Sequence, residues 1–86
     1  MALDGNAIGG LLLEVFATDM TSAEATCAAC GAVRPVAETT VYLRGPGAVV
    51  RCRRCTSVLM VIARVRGLNC VDLSGLATLR VKAASD

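Results

Sequence analysis

Residues 27–55 read CAACGAVRPVAETTVYLRGPGAVVRCRRC: they open on Cys27-Ala28-Ala29-Cys30 and close on Cys52-Arg53-Arg54-Cys55, with 21 residues between Cys30 and Cys52. Two C-x-x-C pairs at this separation have the spacing of a four-thiolate metal site. A tight turn inside each pair points both sulfurs the same way, and turn N–H groups donate to the sulfurs and favour the thiolate. Gly31 follows the first pair, where the chain leaving a second ligand often needs positive φ. Thr56 holds that place after the second pair. Four soft thiolates suit zinc, one Zn2+ per chain, in a closed tetrahedral cage whose role is structural. Cys27, Cys30, Cys52 and Cys55 are thus the candidate metal ligands. A pair of redox dithiols is the weaker reading, because such motifs occur once, at a strand–helix junction of a larger α/β domain.

Between the two pairs, Thr39–Leu43 is β-prone and alternating, Arg44-Gly45-Pro46-Gly47 is a turn, and Ala48–Arg51 returns. These segments predict a hairpin that carries the two cysteine knuckles to one place. Beyond them, Val58–Val65 is apolar on both faces until Arg64, the pattern of a central strand. Arg66–Asn69 reads as a turn, and Cys70–Leu73 and Leu76–Val81, broken at Ser74-Gly75, as strands completing a small antiparallel sheet. Before the first pair, Ile8, Leu11, Leu12, Val15 and Phe16 recur at helical spacing and predict an amphipathic helix over about residues 6–17, capped by Asp4 or Asn6. Gly9 and Gly10 weaken its first turn by about 1 kcal/mol each relative to alanine, so the helix depends on docking. Thr21 and Glu24 have capping-box spacing, which predicts a short helical turn leading to the first knuckle.

Eighty-six residues hold one small core. The fold class expected is small α+β: a helix and connector over residues 1–24, then a β domain over 25–86, packed as a single compact domain. Hydrophobic residues are 55% of the chain and aromatics 2%, so the core is aliphatic. There is no histidine, which removes the commonest general acid/base, and no paired carboxylates or Gly-rich phosphate loop stand at a motif spacing. The expectation is a protein that is not an enzyme and has no small-molecule substrate. Residues 1–26 hold four acids and no base, unlike an export signal, and the apolar run Val58–Ala63 is far short of the roughly 20 residues that cross a bilayer. Five cysteines, an odd number, fit a reducing compartment better than a disulfide framework, so a cytoplasmic location without membrane contact is expected.

The knuckles joined by a hairpin-length segment resemble a zinc ribbon over about residues 25–73. More narrowly, Leu3-Asp4-Gly5-Asn6-Ala7, Asp19-Met20-Thr21, Cys30-Gly31 and Pro46-Gly47 resemble a small actinobacterial zinc-ribbon family of unknown function, over most of the chain. The resemblance implies a ribbon fold and a bound metal but no assigned reaction. Related ribbons often carry proline after the first cysteine of a knuckle, where this chain has Ala28 and Arg53. A rubredoxin-like iron electron carrier uses the same ligand set and stays open as an alternative. The scarcity of aromatic side chains weighs against it.

Charge is uneven: residues 27–86 carry all nine Lys and Arg against Glu38, Asp72 and Asp86. Arg51, Arg53 and Arg54 crowd the second knuckle, which suggests a nucleic-acid-binding ribbon with phosphate contacts as one alternative. Zinc with four thiolates carries about −2, however, so these arginines also balance the cage, and the formal +2 falls to about zero with metal bound. Tyr42 is the sole aromatic of the β domain and offers little base stacking. A protein-interaction role is favoured instead, because the apolar content exceeds what one small core needs. Its partner is another protein or a second copy, in a homodimer pairing helices or sheet edges. Cys70 is left over. Free cysteine is usually buried packing, although its alternation with Val71 and Leu73 also allows the wetter face.

Overall fold

Period-two alternation around Val41, Ala48, Val50, Met60 and Ile62 builds the larger of two antiparallel sheets. The computed structural model describes residues 2–82, so Met1 and residues 83–86, including Asp86, lie outside the account. In chain order the elements are β1 (Ala2–Asp4), a 3-10 turn (Gly5–Ile8), α1 (Gly9–Phe16), β2 (Glu24–Cys27), β3 (Val33–Pro35), a second 3-10 turn (Val36–Glu38), β4 (Thr40–Arg44), β5 (Gly47–Arg51), β6 (Val58–Val65), β7 (Leu68–Asp72) and β8 (Leu76–Arg80). The larger sheet runs β1-β4-β5-β6-β7 and the smaller β3-β2-β8.

The predicted hairpin is β4–β5, closed by Gly45 at φ +51 in the first turn position, where a type II′ turn takes glycine. The middle strand is β5, not Val58–Val65, which lies one place over between β5 and β7. The turn after β6 is also shorter than predicted. Arg66 (φ 52) and Gly67 (φ 79) both take the left-handed conformation of a type I′ turn, whose twist matches the flanking strands, so β7 begins at Leu68 rather than Cys70.

Val41, Val50 and Met60 stand in register on one sheet face, with Ala48 and Ile62 in the next row. The helical segment supplies Ile8 and the fully buried Leu12 to the same core, while Leu11, Val15 and Phe16 pack half-buried at its rim. The predicted helix is a composite: Asp4 caps a 3-10 turn by accepting from the Asn6 amide, and the α-helix proper starts at the flexible Gly9-Gly10 pair. Glu14 on α1 pairs with Arg64 on β6 at the exposed rim of this face. No helix among the described residues is long and apolar enough to cross a membrane.

Two expectations fail for a common reason, which is that β2 recruits partners from both sides. Thr21 and Glu24 form no capping box, because the Thr21 amide and hydroxyl donate to Asp19 while Glu24 opens β2 and pairs with Pro35 and Arg80. Leu76–Arg80 does not complete the larger sheet; it crosses to β2, where the Thr78 hydroxyl donates to that of Thr26. Gly75 is the crossing point. A Cβ there would fall on the Val58 carbonyl oxygen, so only glycine lets the chain pass this close to β6. Its N–H donates to the Leu59 carbonyl and its own carbonyl accepts from the Ala28 amide, joining the two sheets.

Candidate metal centre

Each cysteine pair folds into the same hydrogen-bonded loop. In the first, the Gly31 amide donates to the Cys27 carbonyl and the Cys27 amide to the Ala32 carbonyl, both at 2.9 Å. In the second, Thr56 donates to Cys52 and Cys52 to Ser57, again at 2.9 Å. The residue after each second cysteine is left-handed: Gly31 at φ 77 and Thr56 at φ 66. Glycine accepts that conformation freely, whereas threonine bears a cost of about 1–2 kcal/mol. That Thr56 bears it shows how firmly the loop pattern is imposed, and the Thr56 hydroxyl donating to the Cys55 carbonyl fastens the turn.

The loops face each other and interlock their sulfurs. Cys27 Sγ lies 3.6 Å from Cys55 Sγ, Cys30 Sγ lies 3.7 Å from Cys52 Sγ, and all four lie within 4.8 Å of one another. A tetrahedral cation with metal–sulfur bonds of about 2.3 Å requires sulfurs about 3.8 Å apart. The observed spacing meets that requirement and far exceeds a disulfide bond; all five cysteines are free thiols. Cys27 and Cys52 are buried and Cys30 and Cys55 half-buried, so the four predicted residues are positioned to bind a metal ion in a closed site.

The thiols also perturb one another. The hydroxyl and amide of Ser57 donate to Cys55 and pull its thiol down to about 6. At Cys30 the Ala32 amide pulls downward, but burial and the neighbouring sulfurs of Cys52, Cys55 and Cys27 outweigh it and leave the thiol pushed up to about 11. The shifts are opposed because Ser57 donates to Cys55, whereas Cys30 is crowded by the neighbouring sulfurs.

Of the three arginines read as a phosphate patch, Arg51 is already committed. Its guanidinium donates to the Thr56 carbonyl at 2.9 Å and lies 5.9 Å from the Tyr42 ring centroid, bracing the second knuckle. Arg53 and Arg54 point to solvent. The sequence reading missed Ser57, the Ala32 amide and the Gly75–Ala28 link. Only Ser57 carries a signal, as a hydroxyl two residues past a ligand; the others act through backbone atoms that any residue supplies. Cys70 is exposed on β7 and distant from the cluster in the sheet, so packing in the core is not its place.

A family model described as a family of unknown function, DUF6510, matches residues 1–84. No curated protein and no solved structure matches the chain.

Proposed function

The chain belongs to the DUF6510 family, whose function is unassigned, and from its geometry we propose a cytoplasmic zinc ribbon: a protein-interaction module braced by one Zn2+ on Cys27, Cys30, Cys52 and Cys55. The observation that carries this reading is the tetrahedral spacing of the four sulfurs on two loops of matching hydrogen-bond pattern. Four thiolates complete a tetrahedral shell and leave no position for a substrate, which supports a structural rather than catalytic ion. The four-thiolate set suits zinc or iron alike, and the aliphatic surroundings of the site are what favour zinc.

The interaction role is supported by apolar surface beyond the core. Val65, Leu68, Val71 and Leu73 stand exposed along the β6–β7 hairpin and its exit, on both faces of this sheet edge. The test is elemental analysis and absorption of protein purified under reducing conditions. One equivalent of zinc and a colourless solution are expected. Visible charge-transfer bands with one equivalent of iron would instead identify the electron carrier, and less than half an equivalent of any transition metal would end the reading.

A further inference from the structure

We propose that β7 is a self-pairing edge: a second copy of this chain docks antiparallel on Leu68–Asp72 about a two-fold axis at Cys70, extending the five-stranded sheets into one. This names the partner for the interaction module above and rests on that reading.

The strand is open and unguarded. It ends the larger sheet, every one of its residues is exposed, and it contains no proline or bulge, its one charged residue being Asp72 at the end of the strand. The other edges are defended or short. The strand β3 ends in Pro35 and carries an Arg34–Glu38 ion pair, β8 carries Arg80, and β1 has three residues.

Hydrogen-bond parity fixes how a copy would dock. The Arg64 amide donates to the Pro46 carbonyl, away from β7, so Arg64 and Asn69 are a non-hydrogen-bonded pair. Alternation then turns the backbone groups of Leu68, Cys70 and Asp72 toward β6, and those of Asn69 and Val71 toward the free side. Among the described residues no turn or loop bond reaches Asn69 or Val71 from that side. With the axis at Cys70, Asn69 of each copy exchanges hydrogen bonds with Val71 of the other, so all the outward groups at these positions are paired.

The side chains agree with this register. Cys70 then faces Cys70 of the second copy in a non-hydrogen-bonded pair, with Cα atoms about 4.5 Å apart. Leu68 faces Asp72, and the basic turn at Arg66 of each copy comes beside the acidic end at Asp72 of the other. The arrangement is therefore charge-complementary to itself. Cys70 lies on the face opposite α1, in the row Arg44, Gly47, Ala63, Cys70, so the helix does not obstruct the junction.

The test uses full-length, metal-loaded chain and sedimentation equilibrium, with metal content measured on the same samples. Wild type is expected at twice the chain mass. Leu68 is 68% exposed, so its substitution leaves the monomer intact. Leu68→Lys, placed opposite Asp72 of the other copy, should retain or tighten the dimer, and Leu68→Asp should dissociate at least about tenfold more readily than Leu68→Lys, since each change acts twice across the axis. Treatment with an azodicarboxamide oxidant should join the two Cys70 thiols into one disulfide, the two protons and two electrons reducing the N=N bond to a hydrazine; Cys70→Ser should abolish this cross-link. A monomeric mass at full metal content would overturn the edge pairing and leave the metal site untouched. Equal dissociation of the Lys and Asp variants, or a cross-link that survives Cys70→Ser, would also overturn it. A dimer without metal would sink the metal reading alone.

Discussion

Removing the metal from reduced protein with a high-affinity chelator tests how much of the fold the clustered sulfurs sustain. A chain of 86 residues has a net stability of about 4–13 kcal/mol when folded. A structural thiolate site contributes about 10–16 kcal/mol of coupled binding and folding free energy near neutral pH. Subtracting the second from the first leaves the metal-free chain near or below zero. The structure points the same way: Cys27 and Cys52 are buried, and the sulfurs of the two loops meet in pairs at 3.6 and 3.7 Å, contacts that bare thiols reward far less than a shared cation does. Both sheets end at these loops, because β2 runs into Cys27 and β5 into Cys52. Losing the ion should therefore dissolve the β signal and not merely loosen two turns. Far-ultraviolet circular dichroism should lose its strand band and the melt its cooperativity, with both restored by added Zn2+. A verified metal-free sample with an unchanged spectrum and melting temperature would refute the reasoning.

Gly75→Ala should cost about 3 kcal/mol in chemical denaturation, because the new methyl meets backbone at Val58 that cannot step aside. Thr56→Gly should shift stability by less than about 1 kcal/mol, because relief of the left-handed threonine is offset by the lost hydroxyl bond to Cys55 and by the freedom of glycine in the unfolded chain, seen as a nearly unchanged melting temperature of the holo-protein. Arg51→Ala should weaken metal affinity in a chelator competition, since it releases the Thr56 carbonyl, while Arg53→Ala with Arg54→Ala should lower that affinity through lost charge balance alone and leave any binding to mixed oligonucleotides unchanged. Asp19 is held below the usual carboxylate range by the hydroxyl and then the amide of Thr21. Its stabilisation is present above the unfolded pKa and lost as pH falls through the folded value, so Asp19→Ala should flatten the acid limb of a stability–pH curve.

The metal cluster was legible because ligand chemistry is written in side chains at fixed spacing, and the same holds for the β4–β5 hairpin, whose alternation and Gly-Pro-Gly turn are local. The helix was legible from Ile8 to Phe16, although its first turn tightened to 3-10 form ahead of Gly9. Short strands were not. The strands β1 and β3 have three residues each, too few for alternation to register, and β3 contains Pro35, which argues against a strand until its place at a sheet edge is known. The partner of Leu76–Arg80 was invisible because it depends on Gly75 crossing β6, a close approach that only coordinates reveal. Cys70 went astray through residue-type frequency, which favours burial; its exposure follows from the place of β7 at the edge of the larger sheet, where all five residues of the strand are exposed.

The crossing of β8 back to β2 has a consequence for biosynthesis. Thr26 and Thr78, which touch in the finished sheet, are 52 positions apart. On a translating ribosome the first cysteine loop emerges well before the strand that supports it, and before the carbonyl of Gly75 that holds its Ala28 amide. All four clustered sulfurs, the last at Cys55, are likewise synthesised ahead of this strand. Mispairing of the early thiols in that interval is the hazard that such a topology places on the nascent chain.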